Sequence, residues 1–166
     1  MAHIAPSHGG RFVKGLGDGM LFDFADVRSG VSAALAIQQE RHRANSARAG
    51  DNQIWLGTGM EVSDVNVGAE EVPGHGVNLA ARLMRLAGPG ETVVSQHVCD
   101  GLTANLDADI EDLGDCHVRG IPDPVRAYRI GPPGPQLKGE AGSVDGAAPS
   151  IAVVPFASRN AATDQG

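Results

Sequence analysis

The sequence predicts an α/β sandwich in which one mostly antiparallel sheet is covered by helices on one face. Three observations predict it. Short apolar runs of strand parity alternate with stretches of helical spacing, in the order β, β, α, β, β, α, β, α, β, β. Glycine-rich punctuation such as Gly17-Asp18-Gly19 and Gly88-Pro89-Gly90 separates them. A length of 166 residues with 42% apolar content is enough chain for one domain with its own core.

Residues 1–8 carry no pattern, and Gly9-Gly10 leads into a strand over Arg11–Leu16 that alternates through Phe12 and Leu16. Gly17-Asp18-Gly19 is turn chemistry, because glycine accepts positive φ and aspartate bonds nearby amides; Met20-Leu21-Phe22 returns as the second strand. This is a hairpin with a carboxylate at its tip. Asp26 is placed to cap a helix whose face is Val27, Val31, Ala34 and Leu35, with Gln38 as a polar lapse, running to about Arg43. From Ile54 to Val67 the residues Ile54, Leu56, Thr58, Met60 and Val62 share one parity, which predicts a strand bending near Gly57 and Gly59 and a hairpin through Ser63-Asp64. Val77–Leu86 reads as the second helix, with Leu79, Leu83 and Leu86 on one side and Gly88-Pro89-Gly90 as its stop. A short strand at Thr92-Val93-Val94, a helix over Gln96–Leu102, and strands over Ile110–Val118 and Val125–Ile130 complete the domain.

Thirteen basic residues against 20 acidic ones give a formal charge of −7, with no basic stripe or aromatic interleaving to track a phosphate backbone, so nucleic acid is not an expected partner. Neither a charged-then-apolar leader nor an unbroken apolar run of about 18 residues can be read, which predicts a cytoplasmic protein without a membrane span. Cys99 and Cys116 belong to no C-x-x-C pair and read as structural thiols.

Two clusters could carry chemistry. In Lys14-Gly15-Leu16-Gly17-Asp18-Gly19 the glycines let backbone approach a phosphate, and the carboxylate of Asp18 suits a hard divalent ion. An ordinary turn aspartate and a solvated edge lysine would look the same. In Gly74-His75-Gly76-Val77-Asn78-Leu79-Ala80-Ala81-Arg82, Asn78 and Arg82 stand one helical turn apart on one face. The amide can bond a ribose and the guanidinium fork can meet phosphate oxygens, although a solvated helix start would also fit. No G-K-[ST] follows these glycines, so they form no Walker loop. His75 and His117 belong to no ligand-spaced pair and read as surface histidines.

In this order, the stretches 8–19, 76–83 and 118–128 resemble the class III nucleotidyl (adenylate/guanylate) cyclase catalytic domain, a resemblance that covers His8 to about Ile130. It implies a ferredoxin-like α+β sandwich acting as a head-to-tail homodimer with the site at the interface, so that Lys14 and Asp18 of one chain would serve different sites. It also implies ATP as substrate and Mg²⁺ or Mn²⁺ as cofactor. By the same resemblance Asp18 would bind metal, and Lys14 with Glu71, seven residues before Asn78, would read the purine. Asn78 would position the ribose, Arg82 would stabilise charge on the α-phosphate, and Arg119 would grip the triphosphate. The chain departs from the family pattern in having Glu71 where aspartate is usual and Arg119 where lysine is usual. It also has no counterpart of the family's F-x-D-[IV]-x-G opening strand and following helix.

The resemblance therefore implies an adenylate cyclase-like domain over residues 1–131, incomplete at its N-terminus, converting ATP to 3′,5′-cyclic AMP and pyrophosphate in signal transduction. A degenerate dimerisation or nucleotide-binding module, or an inactive fragment, are the alternatives. Residues 132–149 have the Pro/Gly/Ala composition of a linker. Ser150–Phe156 is a strand-like run without an evident partner and resembles the start of a TolB-like segment, which would make 150–166 the opening of a second domain.

Overall fold

The computed structural model describes residues 3–49, 52–64, 74–102 and 108–131, and the backbone alone at Leu16, Asp64 and 150–157. A one-turn helix α1 (Ile4–Ser7) leads into the hairpin of β1 (Arg11–Leu16) and β2 (Gly19–Phe24). Gly17 at its turn has φ +70°, a conformation open to glycine and costly for most other residues. The long helix α2 (Val27–Ser46) is followed by β3 (Gly57–Met60), β4 (Ser63–Asp64), α3 (Gly74–Met84), β5 (Thr92–Ser95) and α4 (Gln96–Gly101). The antiparallel pair β6 (Asp109–Cys116) and β7 (Val125–Gly131) follows, and β8 (Ser150–Ala157) is the last described element.

Asp26 starts α2 as its composition suggests. Its carboxylate accepts from the Ser29 amide at 2.8 Å and the Ser29 hydroxyl at 2.7 Å, satisfying one of the donors a helix start leaves free. Those two bonds hold the Asp26 carboxyl below its ordinary value of 3.8. Because the folded value is the depressed one, the cap contributes fully above the ordinary carboxylate range and its contribution is lost as pH falls. Asp26→Ala is expected to cost about 1 kcal/mol at pH 7, with the difference from the unaltered chain shrinking as urea midpoints are taken below pH 3.8.

The sheet order is β1-β2-β8-β3-β5-β7-β6, with β4 also pairing β8. Its flanks are antiparallel, β1 with β2 and β5 with β7 with β6, as expected; its centre, β2-β8-β3-β5, is parallel. The sheet is thus mixed. Adjacent strand residues face opposite sides, and both sides are covered. Phe22, Phe24, Met60, Val94 and Ile130 pack with Val31, Ala34 and Ile37 of α2 and Val98 of α4. Their neighbours Leu21, Val93 and Ala127 face α3, where Leu79, Ala80 and Leu83 are buried. Helices on one face only is therefore corrected: the second helical stretch crosses to the other side. Unbroken apolar strands such as Thr92-Val93-Val94 follow from that, since a strand covered on both faces has no polar parity.

Two further expectations are revised. The strand begins at Gly57 rather than Ile54, because the Asn45 side chain takes both backbone groups of Ile54, donating to its carbonyl and accepting from its amide at 2.9 Å each. The expected hairpin at Ser63-Asp64 is not formed by the described residues; those two residues pair with β8 in parallel. The run at 150–157 does have partners in this chain, five positions along β2 and four along β3, so it stands in the middle of the sheet.

Candidate functional site

Helix α3 organises the site. It lies directly on β3, where a Cβ on Gly59 would stand 2.1 Å from the Ala80 carbonyl oxygen, so the helix backbone rests on the strand backbone. The buried set Gly76, Leu79, Ala80 and Leu83 fixes the rotation of α3 and leaves Asn78 exposed. Arg82, one turn on, is half-buried.

Arg82 meets the turn between β6 and β7. A Cβ on Gly120 would lie 2.6 Å from Arg82 Nη1, so the guanidinium sits against bare backbone beside Arg119. Val118 enters the same cluster as Leu79 and Leu83, which draws the 118–121 turn onto α3. Arg82 Nη1 is buried and has no hydrogen-bond partner among the described residues. A guanidinium is rarely left so, because an unmade bond to a buried charged group is costly. Arg119 itself is exposed.

Lys14 reaches the same face through an irregularity. Phe12 pairs with Phe22, but the register slips between Phe12 and Lys14, so that Lys14 pairs with Leu21 instead. Cross-strand partners share a face, and Leu21 packs with Ala80 of α3. Without that bulge, Lys14 would follow Phe12 onto the α2 side. The extra residue, Val13, packs against the same Leu21 and Ala80 cluster as Val77, which immediately precedes Asn78. Lys14, Asn78, Arg82 and the turn bearing Arg119 therefore share the α3 face of the sheet.

Asp18 is exposed at the hairpin tip. Glu71 lies outside the described residues. Among the described residues no group of three or more His, Cys, Asp or Glu side chains comes together to hold a metal ion. A single carboxylate is not a site for Mg²⁺ or Mn²⁺, which take about six ligands, so the described residues do not by themselves fit the metal. Both cysteines are free, and burial, with Asp100 and Asp112 nearby, pushes the Cys99 thiol up to about 11, leaving it protonated and unreactive at neutral pH. No helix among the described residues is long and apolar enough to cross a membrane.

Sequence reasoning gave no role to Gly120 or Glu61. Gly120 stands inside a stretch quoted for the resemblance, yet its role as the surface under Arg82 depends on a contact 38 residues away in sequence. Glu61 has the polar parity of its strand and reads as solvated; α3 covers that side, and Glu61 is 2% exposed.

This arrangement is the fold of solved adenylate and guanylate cyclases, to which the chain is similar. No family model matches it. The adenylate/guanylate cyclase/hydrolase from Silicibacter pomeroyi superposes with a TM-score of 0.66 over 80% of this chain and 79% of that one, at 26% identity. The adenylyl cyclase CyaB from P. aeruginosa shares the fold with a TM-score of 0.57 over 78% of this chain and 75% of that one, at 23% identity. In sequence the chain is 34% identical over 164 residues, 96% of its length, to the protein named "Putative adenylate cyclase 3" of Rhizobium meliloti (strain 1021). It spans 28% of that relative.

Proposed function

We propose that this domain is a class III adenylate cyclase module that converts ATP to 3′,5′-cyclic AMP and pyrophosphate in intracellular signalling, working as a head-to-tail homodimer. The observation that carries the reading is the buried, unpartnered Nη1 of Arg82, held against Gly120 beside Arg119. A donor in that state suits an anion, and a second guanidinium carried by Arg119, the chain neighbour of Gly120, would suit a polyphosphate.

In the reaction the ribose 3′-oxygen gives up its proton and bonds to the α-phosphorus, while the bond from that phosphorus to the pyrophosphate oxygen breaks. Little covalent work falls to the protein, and positioning with charge stabilisation dominates. Arg82 would stabilise charge on the α-phosphate, Arg119 would hold the leaving pyrophosphate, and Asn78 would orient the ribose. Lys14 and Glu71 would read the purine. Asp18 would, by the resemblance, supply one metal ligand.

The test is cyclic AMP formation from ATP with Mn²⁺ by the purified chain. Arg82→Ala is expected to lower kcat about 10²- to 10³-fold with KM changed far less, as for loss of one donor aimed at transition-state charge. Equal turnover by the Arg82→Ala chain overturns the assignment. A second reading, a nucleotide-binding module without catalysis, is favoured by the lack, among the described residues, of three ligating side chains that group to hold a metal. Saturable ATP binding with no product would select it.

A further inference from the structure

On the α3 side of the sheet, where β3 and β5 end and β7 begins, a cleft of about 240 Å³ opens beside Glu61. Glu61 is 2% exposed, an unusual place for a carboxylate unless each oxygen is matched. Only one is. Oε1 accepts from the Val62 amide at 2.9 Å and lies 3.1 Å from His97 Nδ1, whereas Oε2 is buried with no partner among the described residues. Ser95, which also lines the cleft at 2% exposure, has its hydroxyl oxygen buried and unpartnered as well.

The remaining wall decides what these two atoms await. Leu79, Pro124 and Val125 are apolar. Arg126 is the one permanent cation on the wall, and it is already committed, donating to Asp112 at 2.5 Å and to the Tyr128 hydroxyl at 3.2 Å; His97, the other basic side chain there, faces Glu61 Oε1 and leaves Oε2 unmatched. The Gln96 carboxamide is likewise engaged, accepting from Tyr128 and donating to Asp100. A metal ion is poorly served, since no three ligating side chains converge among the described residues. The geometry points to this cleft as a binding site for a small primary amine, whose ammonium donates to Glu61 Oε2 and Ser95 Oγ while its short apolar body lies on Leu79, Pro124 and Val125.

An ammonium suits the place better than a neutral donor. Glu61 brings a negative charge into a region from which water is largely excluded, and a cation both neutralises it and fills the empty oxygen. Ser95 can turn its lone pairs to a second ammonium proton. The site is independent of the nucleotide reading above, because it uses none of Lys14, Asp18, Glu71, Asn78, Arg82 or Arg119.

The experiment titrates the ¹⁵N-labelled full chain with n-propylammonium chloride, against sodium chloride at equal ionic strength and against 1-propanol. Expected are saturable shifts at the Val62 amide and the His97 ring, absent with either control. Glu61→Gln is expected to weaken the amine about tenfold or more, and Ser95→Ala several-fold, as for loss of a bond to a charged group and to a neutral one. Shifts that fail to saturate, that 1-propanol reproduces, or that survive Glu61→Gln in full overturn the site. Should the Glu61→Gln chain not fold, the comparison of n-propylammonium with 1-propanol on the unaltered chain still decides.

Discussion

A chain ended after Gly131 is expected to lose its cooperative unfolding transition and to bind a hydrophobic dye at temperatures where the full chain does not. The cause is the place of β8. Five of its positions pair with β2 from Met20 to Phe24, and four pair with β3 from Gly57 to Met60. Taking it away cuts the sheet into β1-β2 on one side and β3-β5-β7-β6 on the other. The two edges so opened run through the most enclosed part of the molecule, where Leu21, Phe22 and Met60 are 3% exposed or less and helices lie on both faces. Backbone groups stranded there cost about 1 kcal/mol each even with some hydration. Several such losses together approach the total of about 5–15 kcal/mol that holds a domain of this size folded. Pro155 tempers the estimate by one bond, because a proline cannot donate to the ladder. Adding a peptide of residues 150–157 in trans should restore part of the transition. If instead the shortened chain melts cooperatively at the temperature of the full one, residues 132–166 are dispensable and the domain boundary expected at Gly131 stands.

That dependence marks the limit of what the sequence discloses. The hairpin of β1 and β2, the cap at Asp26, the stop at Gly88-Pro89-Gly90 and the β6-β7 pair were legible because each rests on residues close together in the chain: turn glycines, a capping carboxylate, strand parity. The partner of β8 was not, since a strand's own residues do not say which edge it will join. The second face of the sheet was hidden for a related reason. A strand apolar on both sides and one apolar on a single side differ only in whether a helix covers the polar parity, and nothing in the residues around Glu61, just past β3, says that α3 will cover that side. Of the site, the order of Lys14, Asn78, Arg82 and Arg119 along the chain was legible. The bulge that turns Lys14 to the α3 face, and the bare backbone at Gly120 that receives Arg82, are properties of contact geometry alone.

Gly59 is the position where one added methyl group is expected to do most harm. A Cβ there would stand 2.1 Å from the Ala80 carbonyl oxygen, 2.4 Å from the Met84 nitrogen and 2.8 Å from Met84 Cα. All three are backbone atoms of α3, so no rotamer change relieves the overlap; the helix must lift or the strand must move. β3 cannot move freely, held as it is between β5 and β8. Gly59→Ala is therefore expected to cost about 3 kcal/mol or more, the upper end for overpacking a filled core, read as a fall in the urea midpoint. Gly57, one step along the same face, would bring its Cβ to 3.3 Å from the Met84 carbonyl oxygen, and Gly57→Ala should cost much less. Gly74, the first residue of α3 and with nothing within 4 Å of an added Cβ, gives the contrast: Gly74→Ala should be close to neutral. The consequence reaches the site as well, because α3 carries Asn78 and Arg82, and a lifted helix takes Arg82 away from Gly120. In Gly59→Ala chains that remain folded at low temperature, the loss of the proposed cyclase activity should exceed what the folded fraction explains. A Gly59→Ala chain with an unchanged urea midpoint would mean that α3 does not rest on β3, and the convergence of Arg82 with the Arg119 turn would fall with it.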